Sequence, residues 1–323
     1  MEHRSLLQCS QYLALCVAIG TPLSACGGGE RPTGLAPLPG TPAGGLTANG
    51  LYAVAFEQPA VFGYASNNQK NDPPICRLLT KYSNGVAVDG HGNLIVPATF
   101  NYTISVFAGP AMCGPLLGAV RDPYGLPSDA ASNDAANGKI VVANFLGLSG
   151  SGDGNVAICT LAAGCTTRLA SPHLDVVAGV AIAPNGNCWA SASDSAGKPT
   201  LLYFKGCSSA GTVACGFRNS GYGGLDIDNG GNLVSIGFGS VYVYKGCDPK
   251  CSLVGGPFAL RGAVLYGHLN EKNTAFAVGN ASDATVDVYK YGRKRLTFWY
   301  SFDNGFGPSD DVEGAAYNPR SKE

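Results

Sequence analysis

Charged side chains are scarce in this chain: Asp, Glu, Lys and Arg make up 13% of its 323 residues and leave a formal net charge of −1. Without a basic face there is no electrostatic footprint for a nucleic-acid partner. Long apolar runs are missing as well. The apolar stretch from Tyr12 to Ile19 falls well short of the roughly 20 residues that span a bilayer as a helix. No glycine run opens a helix to cradle phosphate, and Gly152-Asp-Gly-Asn and Gly237-Phe-Gly-Ser read as loops. Histidine is rare, at four residues. The sequence places no nucleophile or carboxylate beside His91, His173 or His268, so each reads as exposed or satisfied in the core.

Glycine, by contrast, is abundant at 46 residues, which together with the low charge describes a turn-rich β protein. One phrase recurs. Gly85-Val-Ala-Val-Asp-Gly-His-Gly-Asn-Leu-Ile-Val returns as Gly179-Val-Ala-Ile-Ala-Pro-Asn-Gly-Asn-Cys-Trp-Ala and as Gly224-Leu-Asp-Ile-Asp-Asn-Gly-Gly-Asn-Leu-Val-Ser. Each copy is a short apolar run, an Asn/Gly/Asp turn and a second apolar run, the pattern of a β-hairpin. The second strands begin at Leu51, Leu94, Lys139, Cys188, Leu233 and Thr274, spaced 43, 45, 49, 45 and 41 residues apart. Units of about 45 residues with room for four strands match propeller blades. The expected fold is therefore an all-β, six-bladed β-propeller over residues 51–323.

The repeats also predict how the ring closes. The N-terminal unit, from Leu51, has strands two to four and no first strand; the last unit, at Gly314-Ala-Ala-Tyr, has a first strand only. Pairing the C-terminal inner strand with the three N-terminal strands makes one composite blade and leaves no open sheet edge. Two stacked β-sandwiches would not predict these half-units.

Residues 1–25 read as an export signal: Arg4, an apolar core, then the small-residue context Leu23-Ser24-Ala25-Cys26. Leu-Ser-Ala-Cys resembles the bacterial lipobox, which implies a lipoprotein signal peptide, a lipid on Cys26 and a membrane anchor. The alternative is ordinary secretion with Cys26 left as a thiol. Residues 26–50, rich in Gly and Pro, suit a flexible tether. Gly27 is not the Asp associated with inner-membrane retention, so in a two-membrane envelope the expected location is the outer membrane or cell surface.

Of twelve cysteines, Cys9 and Cys16 fall in the signal and Cys26 at the anchor, leaving nine in the body. Cys159/Cys165, Cys207/Cys215 and Cys247/Cys251 each bracket the turn between a third and a fourth strand, and in an oxidising compartment they are expected to be rim disulfides. Zinc at Cys247-Asp-Pro-Lys-Cys251 would need a second ligand pair nearby. Cys76 and Cys113 sit singly at outer positions from which they could join neighbouring blades, and spacing alone leaves their pairing open. Cys188 reads as the buried free thiol. Arg293-Lys-Arg295, between a third and a fourth strand, reads as charge that discourages edge pairing, with an anionic polymer or lipid as the alternative.

Across residues 51–323 these phrases resemble NHL-type and gluconolactonase/regucalcin-like six-bladed propellers. The resemblance implies ligand contact near the loops that open the innermost strands. In gluconolactonase-like enzymes a Glu, an Asn and an Asp hold one divalent cation there; Glu313, Asn84 and Asp129 match those types and places, and oxygen donors suit Ca²⁺ or Mg²⁺. Asp129 departs from the pattern, preceding Ala130 instead of Gly. The leading expectation is a membrane-anchored, extracytoplasmic module that binds or scaffolds a protein or glycan. The alternative is a metal-dependent lactonase or related hydrolase.

Overall fold

The computed structural model describes residues 50–318, apart from 57, 59, 66–71, 81, 151, 209–210, 217–222 and 238. The expected signal peptide, Cys26 and the tether up to residue 49 lie outside the described residues.

Six antiparallel sheets of four strands each make the ring. Blade 1 combines Gly50–Ala55, Ala60–Ala65 and Cys76–Leu79 with Val312–Asn318, which lies innermost. Leu51 pairs with Tyr317 and Ala53 with Ala315, so the chain closes the ring as the half-units predict. The innermost strands of blades 2 to 6 are Ala87–Val88, Gly125–Ser132, Val176–Ile182, Leu225–Ile227 and Gly267–Leu269.

Burial explains why some strands were plain in the sequence and others faint. Second strands such as Leu94–Ala98, Cys188–Ser193 and Ala275–Asn280 are buried at every position, because each blade is covered on both faces by its neighbours. They read as continuous apolar runs. Outermost strands keep much of their length in water: Ser252–Ala259 and Arg295–Phe302 are exposed or half-buried almost throughout. Apolar clusters fill the seams between blades, one joining Tyr64 and Phe302, for example, and another Phe204 and Val141.

The repeated Asp-x-x-x-Asn of the first hairpin is a turn device. Asp89 Oδ1 accepts the His91 and Asn93 backbone N–H groups at 2.8 and 2.9 Å. Its Oδ2 accepts the Asn93 side-chain amide at 2.8 Å and Ala135 N–H of the next blade at 2.6 Å. Asp228 repeats this with Gly230 and Asn232, and Arg293 of blade 6 donates to it at 3.1 Å. A carboxylate is chosen because it is acceptor-only and can satisfy several converging donors.

Four disulfides are present among the described residues, as suits an oxidising environment. Cys159–Cys165 and Cys247–Cys251 close third-to-fourth strand turns, and Cys76–Cys113 ties blade 1 to blade 2. The remaining bridge corrects two expectations: Cys207 is joined to Cys188, not to Cys215, and Cys188 is no free thiol. Cys188 pairs in register with Phe204, and the single 3₁₀ turn Lys205–Cys207 then folds Cys207 back over it. Both are buried and their Cα atoms are 5.3 Å apart, within disulfide reach. Cys215 lies on the outermost strand of that blade, Thr212–Gly216.

Candidate functional site

The six innermost strands converge so tightly that glycine is required where they open. A Cβ on Gly85 would stand 2.7 Å from the Ser128 carbonyl oxygen, and one on Gly314 2.7 Å from that of Asn84. Blades 1, 2 and 3 thus meet backbone to backbone beside Glu313, Asn84 and Asp129. The three candidate ligands have separate engagements. Asn84 Oδ1 accepts the Thr99 hydroxyl at 2.8 Å, and that hydroxyl also reaches the Pro127 carbonyl. Asp129 Oδ2 accepts Val180 N–H of blade 4 at 3.2 Å. Asp129 Oδ1 and Glu313 Oε2 are buried without a hydrogen-bond partner. Burial, reinforced by the Asp311 charge, pushes the Glu313 carboxyl up to about 8.

Asp129 belongs electrostatically to a different group. Burial pushes its carboxyl up to about 7, against the His268 charge that lowers it, with Asp226 adding to the rise. His268 stands on the inner strand of blade 6, and its Nδ1 lies 3.6 Å from Asp226 Oδ2 of blade 5. The Val86 carbonyl of blade 2 also favours the charged form of His268. Burial works against the imidazolium, but Asp226, Asp129 and that carbonyl outweigh it and raise the His268 pKa. Asp226 is held in turn by Leu269 N–H at 2.7 Å.

This pair forms the floor of a cavity of about 700 Å³ at the hairpin-turn end of the channel. Its wall includes Ala87, Ala181 and Trp189, and its rim Asn185 and Asn229. His268 and Asp226 line the cavity, with side chains 13% and 24% exposed. Trp189 is fixed by its indole N–H donating to the Cys247 carbonyl at 2.7 Å. A concave space lined by apolar and polar groups in near-equal measure, with an acid and a base converging in it, is a candidate ligand site.

Sequence reasoning passed over Asp226 and read His268 as exposed or satisfied in the core, although a signal was there. Asp89, Ala183, Asp228 and Asn270 each donate the backbone N–H that closes the first hairpin. Two residues before them stand Ala87, Ala181, Asp226 and His268. Two copies of the repeat hold alanine where the ring narrows, and two successive blades hold an acid and a base.

Asp89, His91 and Asp134 bring one donor atom each within 4.8 Å of one another. Both Asp89 oxygens are already committed to turn donors, which accounts for the grouping without an ion. No helix among the described residues is long and apolar enough to cross a membrane.

Fold and channel together define a six-bladed β-propeller with a polar-floored axial cavity. Among solved structures, the chain is similar to one from the crystal structure of a Nidogen/Laminin complex: TM-score 0.62, 12% identity, covering 84% of this chain and 98% of that one. It is also similar to a functionally unknown protein from Desulfotomaculum acetoxidans DSM 771, with TM-score 0.52 and 15% identity over 81% of this chain and 82% of that one. At these identities the likeness is one of fold. No protein-family model matches the chain, and no curated protein does.

Proposed function

We propose that this protein is an exported binding module of the cell envelope, carried on a lipid at Cys26 and the Gly/Pro tether, with a glycan or a polar protein loop as its ligand in the axial cavity. The observation that carries this reading is the Asp226–His268 pair at the floor of a space of about 700 Å³. Two charged groups replace alanine at the narrowest part of the ring, where packing alone asks for a small side chain. Four disulfides support export, and a propeller-like chain from a Nidogen/Laminin complex supports a role in association. The test is binding of the chain to glycan and peptide arrays, repeated with Ala181→Trp, which fills the cavity, and with Asp226→Asn. Ligands should be lost in both variants; ligands retained by Ala181→Trp would place binding elsewhere.

A second reading, a divalent-cation-dependent lactonase or related hydrolase of the gluconolactonase-like kind, is favoured by one observation: Asp129 Oδ1 and Glu313 Oε2 are buried and unpartnered. In that reading Glu313, Asp129 and Asn84 hold Ca²⁺ or Mg²⁺, which would polarise a lactone carbonyl. Calorimetric titration with each ion, on the parent chain and on Glu313→Gln, decides it: heat in the parent and none in the variant supports the enzyme, and no heat in either removes it.

A further inference from the structure

The outer edge of blade 6 carries chemistry that neither the channel nor ring closure requires. Its hairpin runs through Thr285–Gly292 and Arg295–Phe302. Between Asp287 and Asp303 stand Lys290, Arg293, Lys294 and Arg295 with no acidic residue, in a chain whose net charge is −1. The same stretch exposes two large rings, Phe298 at 40% and Trp299 at 43%. A bulge puts both outside: Val288 pairs with Tyr300 and Tyr289 with Phe298, leaving Trp299 extra between them.

Cations and rings are interleaved. Lys290 Nζ lies 5.1 Å from the Trp299 ring centre, and the Arg261 guanidinium 4.5 Å from that of Phe298. Arg261 shares its charge with Asp283, and Arg293 with Asp228; Lys290, Lys294 and Arg295 are exposed. Blade 5 extends the patch, because its outermost strand adds exposed Leu253 and Val254 and packs Gly255 against the Arg293 carbonyl.

Charge alone is a familiar defence of an edge strand. Exposed Trp299 and Phe298 work against that purpose, since they make an edge more adhesive. Aromatic rings beside Lys and Arg instead match a bilayer interface, where rings sit at headgroup level and basic groups meet anionic lipid. We propose that the outer edge of blades 5 and 6 is a membrane-docking face, with Trp299 and Phe298 entering the headgroup layer and Lys290, Lys294 and Arg295 pairing with anionic lipid. This rests on different residues from the axial cavity and does not need a lipid on Cys26.

The test uses the full chain carrying Cys26→Ser, sedimented with phosphatidylcholine vesicles that are neutral or contain about a third phosphatidylglycerol. Binding is expected to the anionic vesicles, weakening with salt, with a blue shift of Trp299 emission read in a Trp189→Phe background. Each basic group contributes about fivefold in partitioning. The triple change Lys290→Gln, Lys294→Gln, Arg295→Gln should therefore weaken binding on the order of a hundredfold. Trp299→Ala should weaken it at every salt concentration. All these positions are exposed, so melting should be unchanged and folding is controlled for. Equal binding by the triple variant, no emission shift, or capture by a soluble polyanion with no vesicle binding would each overturn the assignment.

Discussion

The Asp129 carboxyl is sealed among the inner strands, where one oxygen accepts Val180 N–H and the other has no partner. Burial pushes it up to about 7, so from about pH 4 to 7 the folded ring keeps a proton that the unfolded chain has lost. Stability then falls as pH rises across that window, by about 1.4 kcal/mol per pH unit for each such group. Glu313, pushed up to about 8, extends the fall upward. His268, raised by its carboxylate neighbours, contributes stability that is likewise lost as pH climbs through its folded value. Asp228 is opposite: its pKa is lowered by donors that outweigh burial, so its contribution disappears only as pH drops below the ordinary carboxylate range. Urea midpoints should therefore decline from about pH 4 to pH 8. Asp129→Asn should flatten that decline and raise stability at pH 8. A profile that is level in the parent chain, or equally steep in the variant, would show that Asp129 ionises normally.

At the scale of strands and turns, legibility follows how local the determining physics is. The first hairpins of blades 2 and 5 were plain because Asp89 and Asn93, and Asp228 and Asn232, meet through hydrogen bonds spanning four residues. Second strands were plain because burial on both faces leaves an unbroken apolar run, while fourth strands such as Ser252–Ala259 were faint because water covers most of their length. The Cys76–Cys113 bridge was foreseen only as a reach between neighbouring blades, with its pairing left open. The Cys188–Cys207 bridge was not, because it depends on the 3₁₀ turn after Phe204 and not on the short spacing from Cys207 to Cys215. The axial pair escaped for a related reason. Asp226 and His268 are 42 residues apart in the sequence, and only the radius of the closed ring brings them to 3.6 Å. Asn84 and Glu313 each precede a glycine at which inner strands meet backbone to backbone, whereas Asp129 lies within its inner strand, Gly125–Ser132; what each carboxyl faces was set by blades far away in the chain.

The whole ring depends on its closing seam. Val312–Asn318 supplies the innermost strand of blade 1, pairs with Gly50–Ala55 and buries Val312, Ala315, Ala316 and Tyr317 between blades 1, 2 and 6. Losing it exposes a row of backbone donors and acceptors along Gly50–Ala55. It also removes apolar burial worth about 1.5–3 kcal/mol for each large side chain, against a total stability of about 5–15 kcal/mol for a typical domain. A chain ended after Asp311 should accordingly lose its cooperative melt and associate through the open edge, as read by calorimetry and light scattering. A peptide spanning 308–323 added in trans should restore a monodisperse species, because the strand's contacts are contributed by side chains and ladder bonds that do not require covalent continuity. Gly314→Val probes the seam without removing it: a side chain there meets the Asn84 carbonyl oxygen and the Gly85 Cα at 2.7 and 3.1 Å, so the melting temperature should fall by several degrees while the fold persists. A truncated chain that melts cooperatively at the parent temperature would mean that the remaining seams, including the Cys76–Cys113 staple between blades 1 and 2, hold the ring without its last strand.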